Sequence, residues 1–168
     1  MAKAHGCWVL AAAGGPDKVE VCRELGADVV LDYNRQDLYD TVMEATSGRG
    51  VDVVYDPVGG RYFDVARRLV AWEGRLLVVG FASGDIPQAP ANHVLVKNYS
   101  VVGVHMAAYR HVDPAMITEC YNEVYTLLAR GDIDPLITSR LSMDELPGGL
   151  NQLANRKVSG RLVLDPRT

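Results

Sequence analysis

The sequence contains no run of about 18 or more consecutive apolar residues, so no segment reads as a membrane-spanning helix. Cysteine is scarce. Cys7, Cys22 and Cys120 are odd in number, far apart and without CxxC spacing, which argues against both a disulfide framework and a thiolate metal site. The histidines His5, His93 and His111 form no HxxxH pattern and no ligand spacing with the cysteines, so no metal site is read. Basic residues are not in excess: 17 Lys and Arg against 21 Asp and Glu give a net charge of −4. The two signs are interspersed, and the electrostatic footprint of a nucleic-acid binder is missing. A nucleophile elbow, a Ser-His-Asp set in workable order and a convincing carboxylate pair are all absent, so no catalytic residue is assigned. No signal-peptide pattern opens the sequence. With the unpaired cysteines, this sets the expectation of a soluble protein of the reducing cytoplasm.

The stretch with most information is Cys7 to Tyr33, CWVLAAAGGPDKVEVCRELGADVVLDY. An apolar run ends in Gly14-Gly15-Pro16, a helical pattern carries Asp17 and Lys18 in its first turn, and a second apolar run ends in Asp32-Tyr33. This reads as strand, turn, helix, strand. Ligands of a doubly wound sheet bind at the carboxyl ends of its strands, so Gly14, Lys18 and Tyr33 are expected on one rim. NAD-binding folds usually place Asp or Glu at such a strand end to accept from the ribose 2′-hydroxyl, whereas a 2′-phosphate needs that carboxylate absent and a cation nearby. Here Gly14 holds the position and Lys18 follows one helical turn on. Taken alone, Gly-Gly-Pro also reads as a plain tight turn and Lys18 as a solvated lysine.

At 168 residues a single domain is the default. Met1 to Gly6 reads as the last turn of a helix closed by Gly6. Cys7–Ala13 is a continuous apolar run, the pattern of a strand covered on both faces. Pro16 opens a helix ended by Gly26, Val29–Leu31 is a strand, and Leu38, Val42 and Ala45 mark the next helix. Val51–Asp56 reads as another buried strand, followed by the Pro57-Val58-Gly59-Gly60 turn and a helix carrying Tyr62 to Val70. Gly74–Phe81 is a strand, Ala82–Pro90 a loop, Asn92–Lys97 a short helix and Tyr99–Met106 a strand. A helix spans Pro114–Arg130. The tail reads as a half-exposed strand at Ile137–Leu141, a helix at Leu146–Asn155 and a short strand at Arg161–Leu164. Alternating strands and helices imply an α/β, doubly wound, Rossmann-type and mostly parallel sheet, with about five strands in the main sheet.

The segments GCWVLAAAGGPDK, ELGADVVLDY, VDVVYDPVGG, EGRLLVVGFASG and ANRKVSGRLVL, in this order and spacing, closely resemble the medium-chain dehydrogenase/reductase superfamily. Within it they are most similar to the zinc-free, zeta-crystallin-like quinone oxidoreductase branch. The resemblance covers nearly the whole chain. It also implies an absence: the family's first strand, its Gly-rich phosphate loop and its preceding catalytic domain have no counterpart here, and the chain starts inside the helix that follows that loop. The absent strand is central in a sheet of order 3-2-1-4-5-6, so the strands ending at Ala13 and Tyr55 would each lose a neighbour. Residues 1–135 are then a partial dinucleotide-binding domain, and 136–168 a segment that would return towards the absent catalytic domain.

The resemblance further implies an NADPH cofactor and hydride transfer to a quinone or an activated alkene. By position, Gly14 and Lys18 resemble the adenosine 2′-phosphate site, Tyr33 the residue flanking the adenine ribose phosphate, and Arg156 an arginine that completes the phosphate clamp. Val58 and Gly59 would let the cofactor ribose approach the backbone, and Gly80, Phe81 and Ala82 would line the nicotinamide. His105 lies near cofactor-contacting backbone, although a lone histidine in an apolar strand is more often packed than catalytic. The strand near Ser100–His105 would pair with its copy to make a homodimer, and the chain alone would be inactive. Two other readings stay open: a non-catalytic dimerisation or assembly module, and another doubly wound ligand binder such as a methyltransferase-like domain.

Overall fold

The computed structural model describes residues 1–167. Two compact units make up the chain: Met1–Val30 together with the stretch from Cys120 onward, and Leu31–Glu119.

In the first unit, a 3-10 turn at Lys3–His5 ends at Gly6, whose φ of +74° needs the freedom of glycine and lets its N–H reach the Lys3 carbonyl at 2.9 Å. Strand β1 (Leu10–Ala13), helix α1 (Pro16–Glu24) and strand β2 (Val29–Asp32) follow, with Pro16 at the first helical position, where no N–H is needed. β2 runs from this unit into the next, and β1 pairs with it. Asp28 anchors the approach to β2: its carboxylate accepts from Lys3 Nζ at 2.8 Å and from the Val9 N–H at 2.7 Å. The Lys3 hydrogen bond, then that of Val9, holds the Asp28 carboxyl below its ordinary pKa. Helix α6 (Pro114–Arg130) also spans the boundary, and it buries Leu127. In the tail, β6 (Ile137–Leu141) and β7 (Arg161–Leu164) pair in parallel around α7 (Leu146–Ala154).

The second unit is built on a three-stranded parallel sheet, β3 (Val51–Asp56), β4 (Val70–Val78) and β5 (Ser100–Gly103), in the order β3-β4-β5. Helix α2 (Leu38–Ala45) starts at Asp37, whose side chain accepts from the Asp40 N–H at 2.9 Å, a cap contributing about 1 kcal/mol. Helix α3 (Arg61–Leu69) buries Phe63, Ala66 and Leu69 along one stripe. Phe63 and Ala66 meet Val70, Leu76 and Tyr99 in the core, with Val54, Val78, Val94 and Val101 packed around them. Full burial of Phe63 contributes about 2 to 3 kcal/mol. Helix α4 (Ala91–Lys97) sends Lys97 Nζ to the carbonyls of Arg68 and Val70, at 2.5 and 3.0 Å, where α3 gives way to β4. A short helix α5 (Tyr109–Val112) precedes α6.

Three expectations change. Among the described residues, β1-β2 and β3-β4-β5 are separate sheets, so a single five-stranded sheet is not formed. β3 accordingly has a partner only in β4, and Val53 and Tyr55 are 52% and 66% exposed rather than covered on both faces. α3 and its neighbours cover the other face, where Val54 and Leu76 lie side by side. Finally, two strands are shorter than their apolar runs. β1 begins at Leu10, leaving Cys7 and Trp8 exposed, and β5 ends at Gly103, because the chain turns into a 3-10 segment at Met106–Ala108.

Candidate functional site: the carboxyl rim of the strands

The parallel register aligns Asp56 with Val78 and Val78 with Gly103, so β3, β4 and β5 end along one line. Val58 and Gly59 follow β3, Gly80, Phe81 and Ala82 follow β4, and His105 follows β5. These six candidate residues therefore lie just past one carboxyl edge, where doubly wound sheets hold ligands.

Backbone hydrogen bonds fasten the first two turns together. Val79 N–H donates to the Asp56 carbonyl at 3.0 Å, Ala82 N–H to Pro57 at 3.1 Å, Ser83 N–H to Val58 at 3.0 Å, and Gly60 N–H to Asp85 at 3.2 Å. Asp56 is buried, and its Oδ1 accepts from the N–H groups of Val58 and Gly59 at 2.8 and 2.9 Å. The Gly59 backbone is buried at φ +70°. A β-carbon there would stand 3.0 Å from both the Asp85 carbonyl oxygen and Phe81 Cδ1. The close approach that the missing side chain permits is thus made by the 81–87 loop. Gly80 likewise lies close under Pro57, with 3.2 Å from its would-be β-carbon to the Pro57 carbonyl oxygen.

His105 is exposed two residues beyond β5, not within it, and its carbonyl accepts from Ala108 at 3.1 Å. Tyr33 follows the end of β2, half-buried, with its ring centroid 5.3 Å from that of Tyr62. Asp32, buried beside it, accepts from the Asn34 N–H at 3.0 Å, and Arg35 Nε stands 3.8 Å from its carboxylate. Gly14 follows β1, and Lys18 lies half-buried in the first turn of α1. Arg156 sits just past α7 with φ +56°, its N–H donating to the Leu153 carbonyl at 3.0 Å. A left-handed conformation at a non-glycine residue carries strain of about 1 kcal/mol.

Sequence reasoning passed over Asp56, Tyr62 and Arg61. Asp56 had a readable signal, because an Asp before Pro with a Gly downstream forms a side-chain-to-backbone turn. The pairing of Tyr62 with Tyr33 had none, being a contact between distant positions in the chain.

The zinc-binding dehydrogenase family profile matches residues 1–124. The chain belongs to this family. It is 34% identical over 156 residues to a quinone oxidoreductase-like protein 2 homolog of Nematostella vectensis, covering 92% of this chain and 43% of that protein. It is 30% identical over 166 residues to a quinone oxidoreductase of Pseudomonas aeruginosa, covering 98% and 51%. Among solved structures, the Escherichia coli quinone oxidoreductase complexed with NADPH matches with a TM-score of 0.88 and 25% identity, over 98% of this chain and 51% of that one. The chain thus spans about half the length of these relatives, and it corresponds to the cofactor-binding part of the medium-chain dehydrogenase/reductases.

The family's name implies zinc. Among the described residues, no three His, Cys, Asp or Glu side chains gather into a metal-binding group, so these residues do not fit a zinc ion and no step is routed through one. Among the described residues, no helix is long and apolar enough to cross a membrane.

Proposed function

We propose that this chain is the cofactor-binding portion of an NADPH-dependent, zinc-independent oxidoreductase that transfers hydride to a quinone or an activated alkene. The observation that carries this reading is the end of β1, where Gly14 stands in place of an acid and Lys18 lies in the first turn of the helix that follows. Without a carboxylate at that strand end, a 2′-phosphate is not repelled from it, and Lys18 and Arg156 supply charge-assisted hydrogen bonds. Neither of these cations has a carboxylate partner among the described residues. Tyr33 flanks the phosphate-bearing ribose. Val58 and Gly59, their N–H groups held by Asp56, shape the turn beside the other ribose, Gly80, Phe81 and Ala82 line the nicotinamide, and His105 contributes backbone nearby. Ala82 N–H is engaged by Pro57, so the carboxamide is held by other main-chain groups of that turn. A bound nicotinamide supplies the hydride, and the residues here bind and orient it.

Residues 1–135 act as part of the dinucleotide-binding domain, and 136–168 return towards a catalytic domain outside this chain, which holds the quinone or enone. The 168-residue chain is therefore inactive alone. The free thiols of Cys7, Cys22 and Cys120 support a reducing, cytoplasmic setting. β5 is an edge strand with exposed Ser100 and Val102, which supports a two-fold homodimer through that edge. The test is NADPH oxidation in the presence of a quinone, by the full-length protein and by residues 1–168 alone. Turnover by the first and none by the second is expected. Comparable turnover by the short chain, or no NADPH binding by the long one, contradicts the reading.

A further inference from the structure

Beside Tyr33 stands a cation that the proposed site does not yet use. Arg61 is the first residue of α3, exposed, with its guanidinium carbon 5.0 Å from the centre of the Tyr62 ring and Nη2 donating to the Tyr62 hydroxyl at 3.1 Å. Successive residues of a helix project in different directions. The stack therefore draws Arg61 back over its neighbour while the residue stays exposed. Tyr62 in turn lies against Tyr33, with ring planes inclined at 57°. The three side chains form one assembly of a guanidinium and two phenol rings next to the end of β2.

Two features set Arg61 apart from an ordinary surface arginine. Two nearby acids already face other cations: Asp64 meets Arg67 at 3.1 Å, and Asp32 meets Arg35 at 3.8 Å. Among the described residues Arg61 has no carboxylate partner, and its ordered contacts are aromatic. It is also a cation at the start of a helix, where the macrodipole favours an anion. A residue that opposes the local electrostatic preference is a candidate for function rather than folding. The Tyr62 hydrogen bond holds the guanidinium above its ordinary pKa, while desolvation acts in the opposite sense.

Building on the proposed phosphorylated cofactor, we propose that Arg61, held by Tyr62 beside Tyr33, is a further specificity-determining residue that binds the phosphate on the adenosine ribose. Arginine suits this task because its planar fork reaches two phosphate oxygens while one face stays on an aromatic ring. Tyr62 is a positioning residue, acting through the hydroxyl that accepts from Arg61.

The test is calorimetric titration of the full-length protein with adenosine 2′,5′-bisphosphate, with 5′-AMP and with inorganic phosphate. Arg61→Gln is expected to weaken the bisphosphate about tenfold, the size of one charge-assisted hydrogen bond, and to change 5′-AMP by about twofold at most. Arg61→Lys should recover part of the loss, and Tyr62→Phe should show a smaller one. The melting temperature of Arg61→Gln should stay level or rise, because a cation is removed from a helix start. Equal losses for both nucleotides, no loss for either, or a loss accompanied by a lower melting temperature would overturn the assignment. Inorganic phosphate competing as well as the bisphosphate would mark a general anion site and overturn it too. A wild-type preference for the bisphosphate that survives Arg61→Gln but is lost in Lys18→Ala overturns the role of Arg61 alone. The lack of any wild-type preference overturns the phosphorylated-cofactor reading, and this role with it.

Discussion

Asp56 Oδ1 accepts the backbone N–H of Gly59 at 2.9 Å, closing the turn at the end of β3 from inside. The same oxygen takes the Val58 N–H, so one buried carboxylate fixes both candidate cofactor-facing residues of this turn. Asp56→Ala leaves two donors without their acceptor and should destabilise the protein by about 2 to 3 kcal/mol. Asp56→Asn keeps an acceptor oxygen and should lose less. Urea unfolding with unchanged m-values checks both.

Gly59 reads out the same turn from the other side. Gly59→Ala forces a side chain into φ +70° and towards the Asp85 carbonyl and Phe81. A loss of about 1 to 3 kcal/mol is expected, with weaker cofactor binding, because the 81–87 loop must move. A variant with wild-type melting temperature would show that the loop yields freely.

The sequence made the elements legible where a residue type dictates local geometry. Pro16 starts α1, Gly6 closes the opening turn in a left-handed conformation, and the alternation of Ile137–Leu141 marks β6. The limits of β1 and β5 were not legible, because an apolar run does not say where a strand finds its partner. Tyr99 illustrates this: it reads as part of a strand, yet it is buried just before β5, packing into the core and meeting His93. Of the candidate site, the rim residues after β3, β4 and β5 were readable from turn chemistry and resemblance. The Arg61, Tyr62 and Tyr33 assembly was not, since it depends on a ring contact between residues far apart in the sequence.

His93 predicts a pH dependence. Its Nδ1 lies 3.2 Å from the Tyr99 hydroxyl, with Tyr99 buried in the core. Burial first, and then the charges of Arg67, Lys97 and Arg68, push its pKa below the ordinary 6.5. The unfolded chain therefore takes up a proton at a higher pH than the folded one. The His93 contribution to stability is complete above pH 6.5 and falls as pH drops from there through the folded pKa. Urea midpoints should decline across that window in the wild type and decline less in His93→Gln. Parallel pH profiles for the two would contradict the assignment.

Arg156 separates charge from backbone. Glycine relieves a left-handed position, so Arg156→Gly should raise stability by about 0.5 to 1 kcal/mol while weakening NADPH. Thermal melts and cofactor titrations on one preparation test both halves. Unaltered NADPH affinity would leave Arg156 a surface residue beyond a helix end.

The exposed edge of β5 predicts the assembly. A charge at Val102→Asp, on a strand whose other neighbour is β4, should split dimers in analytical ultracentrifugation. Dimers that persist would exclude this edge.

The central claim is that the chain takes a phosphorylated dinucleotide because Gly14 stands where an acid would refuse one and Lys18 supplies a cation. Dissociation constants for NADPH and NADH, measured on the full-length wild type and on Lys18→Ala, test it most directly. NADPH should bind at least about tenfold tighter than NADH in the wild type, with the gap closed in the variant. Equal affinities in the wild type would contradict the account.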